Sequence, residues 1–288
     1  MTPEPADFNS TLSNLMNELT KTGSFLSTDE HGNLISDASV GKIVPPWRDA
    51  VDYARQLEVR HLGDRLHSLY LRGSVPRGVA LPGRSDLDLF AVLFDDVPRT
   101  SQPQFGEFLN RFPFVAGIES SHITLANVQG PFDYYRFVMK VSAVCIHGED
   151  LLPQIQPYTT DAPIAQEWFR IFPHLVDQFV ADLKVSGSDE TSKRLCHDMM
   201  KAFLRAGMLL VMKRRGAYTR DLYPSYQCFS MFYPEQEPAM RHCLELAVNP
   251  VSDRHMLLLF VTSLAEWMMG ATEDEFGRLE LLPASLVH

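Results

Sequence analysis

The chain has 288 residues, 45% of them hydrophobic and 22% charged, which is ordinary for a globular protein and enough for one large core or two small ones. A formal net charge of −10 repels a polyanion at long range, so broad nucleic-acid binding is disfavoured, while an acidic surface suits cationic small molecules or protein partners. Cys145, Cys196, Cys228 and Cys243 form no CxxC pair and point to neither a zinc site nor a disulfide framework; no apolar run approaches the ~20 residues of a membrane span, and the first residues lack the blocks of a secretion signal, so a cytoplasmic location is expected.

Phe8 to Leu19 carries Leu12, Leu15, Met16 and Leu19 at helical spacing and predicts a short amphipathic helix. His31-Gly32-Asn33 is a turn signal, and the Asp29-Glu30-His31 cluster beside it reads as a solvated loop. From Pro45-Pro46 a helix is predicted, with Trp47, Val51, Ala54 and Leu57 on one face. Leu66 to Leu71 reads as a strand, and a second apolar strand opens with Asp86-Leu87-Asp88 after a loop rich in glycine and proline. Gln104 to Phe112 predicts a helix, Glu119 to Val128 a third strand, and Tyr134 to Ile146 either a fourth strand or a helix. Beyond Pro153 the β-branched runs disappear, and Trp168 to Leu183, Lys193 to Arg214, Glu237 to Val248 and Asp253 to Met269 all show helical periodicity. Met199, Met200, Met208 and Met212 sit at helical spacings and read as core.

The chemistry concentrates between Leu69 and Asp96. Side chains alternate along a strand, so Asp86 and Asp88 share a face with Cα atoms roughly 6.5–7 Å apart, a spacing at which two carboxylates can share a divalent ion. Magnesium takes one or two protein carboxylates and leaves positions for phosphate oxygens. Gly73 allows close approach of a backbone turn to a ligand, and its neighbouring amides with the Ser74 hydroxyl form an anion nest; Arg72, Arg77 and Arg84 add positive charge around the loop. Phosphoryl and nucleotidyl transfer depend mostly on positioning and charge neutralisation, and the stretch has parts for both.

Gly73-Ser74, Arg77-Gly78 and Ser85-Asp86-Leu87-Asp88-Leu89 resemble the signature of the DNA polymerase β-like nucleotidyltransferase superfamily, in the branch of the aminoglycoside adenylyltransferases. His147 to Leu152 is similar to the segment that closes that family's catalytic domain. The resemblance implies an α/β (α+β) fold: a small mixed-sheet nucleotidyltransferase domain over residues 45–155, preceded by a helical and loop extension (1–44) and followed by an all-helical, substrate-side bundle (156–288). It implies Mg²⁺ on Asp86 and Asp88, the phosphates of ATP or another NTP near Gly73, Ser74, Arg77 and Ser85, and a basic residue from the bundle, for which Arg220 is the matching position and Lys213 a second choice. A third carboxylate is expected on a later strand as metal ligand or base; Glu119 and His122 are the two candidates.

The function implied is Mg²⁺-dependent transfer of NMP, foremost AMP, from an NTP to a hydroxyl of an aminoglycoside-like small molecule. The rival expectations are a nucleotide-binding relative that lost its base, and a protein- or tRNA-modifying transferase of toxin–antitoxin type.

Overall fold

The computed structural model describes residues 23–95 and 105–282. The helix expected over Phe8 to Leu19 lies outside the described residues. The described residues divide into two compact units, one of residues 27–159 and one of residues 23–26 together with 160–282. Residues 27–44, read from the sequence as part of an extension, cluster with the first.

The first unit is built on a four-stranded mixed sheet in the order β3-β2-β1-β4. Strand β1 (Leu66–Arg72) pairs antiparallel with β2 (Leu87–Leu93) and with β4 (Val144–Gly148), whereas β3 (Ile118–Thr124) lies parallel to β2. The parallel step needs a crossover, which contains the short helix α3 (Gly106–Arg111). One face of the sheet carries Leu69, Leu71, Leu87, Leu89, Ala91 and Leu93, all essentially buried. Helix α1 (Trp47–Leu62) covers that face with Trp47, Ala50, Val51, Ala54 and Leu62, and Phe108, Phe112 and Val115 complete the core. Each fully buried leucine contributes about 1.5–3 kcal/mol. The buried stripe of α1 is rotated slightly from the one the spacing suggested: Leu57 is only half buried, and Glu58 takes the inward position.

Two segments refine the expected order. The strand predicted over Glu119 to Val128 stops at Thr124, whose side chain accepts from the Asn127 amide at 3.1 Å while the Asn127 carboxamide accepts from the Thr124 amide at 3.0 Å. This reciprocal cap starts α4 (Leu125–Gln129). Tyr134 to Ile146, open between strand and helix, is both: α5 (Tyr134–Ser142) and then β4. The Asp29 cluster is a turn, its carboxylate accepting from the His31 and Asn33 amides at 2.9 and 2.8 Å.

The second unit is helical: α6 (Ile164–Val185), α7 (Asp189–Arg215), α8 (Leu222–Phe232), α9 (Glu237–Val248) and α10 (Arg254–Phe276). Helix α7 is its centre and buries Met199, Met200, Met208 and Met212, as expected of core methionines. Gly207 sits where α8 and α9 press closest, since a Cβ there would lie 2.8 Å from Cε of Met240 and 2.9 Å from Cδ2 of Phe229. Gly216 ends α7 in the left-handed region at φ 63°, a conformation that glycine adopts without strain. Helix α8, for which the sequence carries no helical expectation, forms after Asp221 and buries Phe229 completely. Among the described residues, no helix is long and apolar enough to cross a membrane.

Candidate active site

β1 runs straight into the turn at Gly73, which adopts φ 84° and ψ −154°. Only glycine occupies that region without strain. The reason for it lies across the ladder: a Cβ on Gly73 would stand 2.0 Å from Oδ2 and 3.1 Å from Cγ of Asp88. The Asp88 carboxylate therefore rests against the bare Cα of Gly73. Beyond it, Ser74–Arg77 forms a single helical turn, α2, closed by Gly78 at φ 75°, whose N–H donates to the carbonyls of Ser74 and Val75.

The register brings the charged groups together. Arg72 is the ladder partner of Asp88 in β1–β2, and Glu119 is the partner of Asp88 in β2–β3. Directly paired residues point to one face of a sheet, and in the antiparallel pair of Arg72 and Asp88 this puts the Cβ atoms about 4.5–5.5 Å apart. Arg72, Asp88 and Glu119 thus form one row across three strands. Asp86 lies two residues before Asp88, just outside the strand, where the ladder continues through the Leu87 amide to the Gly117 carbonyl at 2.9 Å. A Cβ on Gly117, the residue before β3, would be 3.9 Å from that of Asp86, which is ordinary contact.

His122 is on the other face, since it pairs with Ala91, whose side chain belongs to the core beneath the sheet. The regular parallel register places Glu119 in the row with Asp88, and His122 on the opposite face. Beneath the sheet, His122 Nε2 lies 3.2 Å from the Ser120 hydroxyl and 4.0 Å from Glu58. Glu58 is fully buried, its carboxyl facing Ser120 and His122. Burial pushes the Glu58 carboxyl up from its ordinary range, against smaller opposing effects of Ser120 and His61. Burial likewise pushes His122 down, helped by the positive charges of His61 and Arg65. Both shifts favour the uncharged forms. A charged residue at the fourth and eighth places after Ala54 and Ala50 is the signal in the sequence that marks Glu58.

The remaining site residues fall into two groups. Arg77 donates from Nε to Asp37 at 2.7 Å, which ties the loop to the segment before α1. Ser85 accepts the Leu81 amide at 2.9 Å with its hydroxyl and donates its own amide to the Leu81 carbonyl, closing the turn that leads into Asp86. Arg220 and Lys213 belong to the helical unit, Lys213 in the last turn of α7 and Arg220 in the link to α8. A cavity of about 510 Å³ in that unit is lined by Lys213, Arg214, Asp161 and Glu275 among others.

Among the described residues, no three His, Cys, Asp or Glu side chains converge into a complete metal centre. Magnesium does not require one, because one or two carboxylates suffice when phosphate oxygens and water fill the remaining positions. Hard oxygen donors, one of them seated against a bare Cα, fit such an ion.

No protein-family model matches the chain, and no curated protein matches it. Among solved structures it is similar to spectinomycin adenyltransferase AAD(9) from Enterococcus faecialis, crystallised with ATP and spectinomycin: 14% identity, a TM-score of 0.45, and coverage of 77% of this chain and 98% of that one.

Proposed function

We propose that the protein is a Mg²⁺-dependent nucleotidyltransferase that moves NMP, foremost AMP, from an NTP to a hydroxyl group of a small-molecule acceptor. The observation that carries the proposal is the pairing of Asp88 with Glu119 on one face of the sheet, beside a glycine whose backbone leaves room for the Asp88 carboxylate. Asp86 and Asp88 would hold magnesium, which when bound supplies charge neutralisation for the triphosphate. The Gly73-Ser74 turn seats the phosphates through its amides. Glu119 accepts the proton of the acceptor hydroxyl as that oxygen forms its bond to the α-phosphorus and the bond to pyrophosphate breaks. A carboxylate in the third place supports an enzyme over a nucleotide-binding relative that lost its base. The net charge of −10 supports a cationic acceptor of the aminoglycoside kind over a polyanion such as tRNA.

The test is incubation of the full chain with Mg²⁺, α-labelled ATP and a panel of hydroxylated amines, with label transfer and pyrophosphate release as readouts. Acceptor-dependent transfer that Asp88→Asn abolishes is the expected result. Absence of both NTP binding and any effect of Asp86→Asn and Asp88→Asn would overturn the proposal.

A further inference from the structure

In an in-line displacement the attacking and leaving oxygens lie on opposite sides of the phosphorus, so a site needs a proton acceptor on one side and positive charge on the other. The row across the sheet has that order. β3 gives Glu119, β2 gives Asp88 and β1 gives Arg72, in the spatial sequence carboxylate, carboxylate, guanidinium. Arg72 is also the residue immediately before Gly73-Ser74, so the cation stands on the same side of Asp88 as the turn with the anion-nest amides.

The state of the side chain adds a second observation. Nε of Arg72 is buried and has no hydrogen-bond partner among the described residues. A guanidinium keeps its charge at any accessible pH and presents donors in a planar fork suited to phosphate. Of the other arginines in the loop, Arg77 is committed to Asp37. A buried guanidinium donor without an acceptor, next to the carboxylate proposed to bring in a metal-bound polyphosphate, lacks the group that the substrate carries.

We propose that Arg72 is a catalytic residue that binds the β-phosphate of the donor nucleotide and neutralises the charge that builds on the departing pyrophosphate. This rests on the nucleotidyl-transfer reading above. The acceptor oxygen bonds to the α-phosphorus, its proton passes to Glu119, the bond from the α-phosphorus to the bridging oxygen breaks, and that oxygen leaves with its electron pair on pyrophosphate beside Arg72. Glu119 serves the entering side and Arg72 the leaving side, with Asp88 between them.

The experiment compares the full-length wild type, Arg72→Gln, Arg72→Lys and Asp88→Asn, each with Mg²⁺. It measures binding of inorganic pyrophosphate, AMP and ATP, and turnover with ATP analogues whose β,γ-bridge is CH₂ or CF₂. Arg72→Gln should weaken pyrophosphate and ATP at least tenfold, leave AMP nearly unchanged, and lower turnover on the order of 10²-fold, the scale for removing one preorganised donor to a developing charge. The loss should be larger with the CH₂ analogue, whose leaving group is more basic. Arg72→Lys, which keeps the charge without the fork, should fall between. Thermal unfolding separates a folding defect from these selective losses, and the lysine variant carries the test if the glutamine variant fails to fold. Unchanged pyrophosphate affinity and turnover in both Arg72 variants, with nucleotide binding lost in Asp88→Asn, would overturn the role of Arg72 and leave the nucleotidyl-transfer proposal standing. A wild type that binds neither pyrophosphate nor ATP would overturn both.

Discussion

Replacing Gly73 with alanine tests how tightly the turn and the carboxylate are fitted together. Two costs arise at different places. The backbone at φ 84° and ψ −154° is a region that costs a non-glycine residue about 1–3 kcal/mol, so the variant should unfold several degrees earlier. The new Cβ would also meet Oδ2 of Asp88 at 2.0 Å, where ordinary contact begins at 3.4 Å. The carboxylate has to retreat by roughly 1 Å or more, a displacement that costs on the order of 10²-fold in rate when it moves a group that positions substrate. Gly83 provides the control, since it also has positive φ, 75°, and a Cβ added there would meet nothing within 4 Å, so its alanine variant incurs only the backbone cost of about 1 kcal/mol. The assay is Mg-ATP binding and transfer alongside thermal unfolding for both variants. Gly73→Ala should lose binding and turnover far beyond its loss of stability, whereas Gly83→Ala should lose stability alone. Equal activity in the two variants would refute the fitted arrangement of Gly73 and Asp88.

Other outcomes follow from the same geometry. Glu119→Gln should lower turnover about 10²–10⁴-fold with Mg-ATP affinity retained, and His122→Ala should spare the chemical step, measured by single-turnover kinetics and nucleotide titration. Glu58 is held above its ordinary value of 4.5, so the folded state binds its proton more tightly and stability falls as pH rises from there through the folded value. Glu58→Gln should remove that decline and raise the melting temperature at pH 8 relative to wild type; an unchanged pH–stability curve would contradict it. His122 is held below 6.5, so its contribution has the opposite sign and is lost as pH falls below 6.5, and His122→Gln should flatten that limb. Leu89→Ala, at a fully buried position beneath the sheet, should cost about 2–5 kcal/mol in denaturant unfolding.

The strand, turn and strand around Gly73 were legible because apolar runs and glycines are local signals. Leu87, Leu89, Ala91 and Leu93 alternate with Asp88, Phe90 and Val92, and that period alone assigns the faces of β2. The choice between Glu119 and His122 was not local. It depends on the register of a parallel pair whose strands are separated by a crossover, and one residue of slip would exchange the faces. Thr124-Leu125-Ala126-Asn127 carried a readable capping signal inside what looked like one continuous strand. Tyr134 to Ile146 resisted assignment because it holds a nine-residue helix and a strand with only Ala143 between them, and Arg136 and Lys140 alone mark the polar side of the helix. Helix α8 was hidden for a similar reason, its aromatic residues giving no clear stripe although Asp221 stood at its start.

The most direct measurement is binding of Mn²⁺, as a spectroscopic substitute for magnesium, in the presence of a non-hydrolysable ATP analogue, compared between wild type, Asp86→Asn and Asp88→Asn. The account predicts a nucleotide-dependent metal signal in the wild type that each substitution removes while the protein remains folded. A signal of equal strength in all three proteins, or none in the wild type, would contradict it.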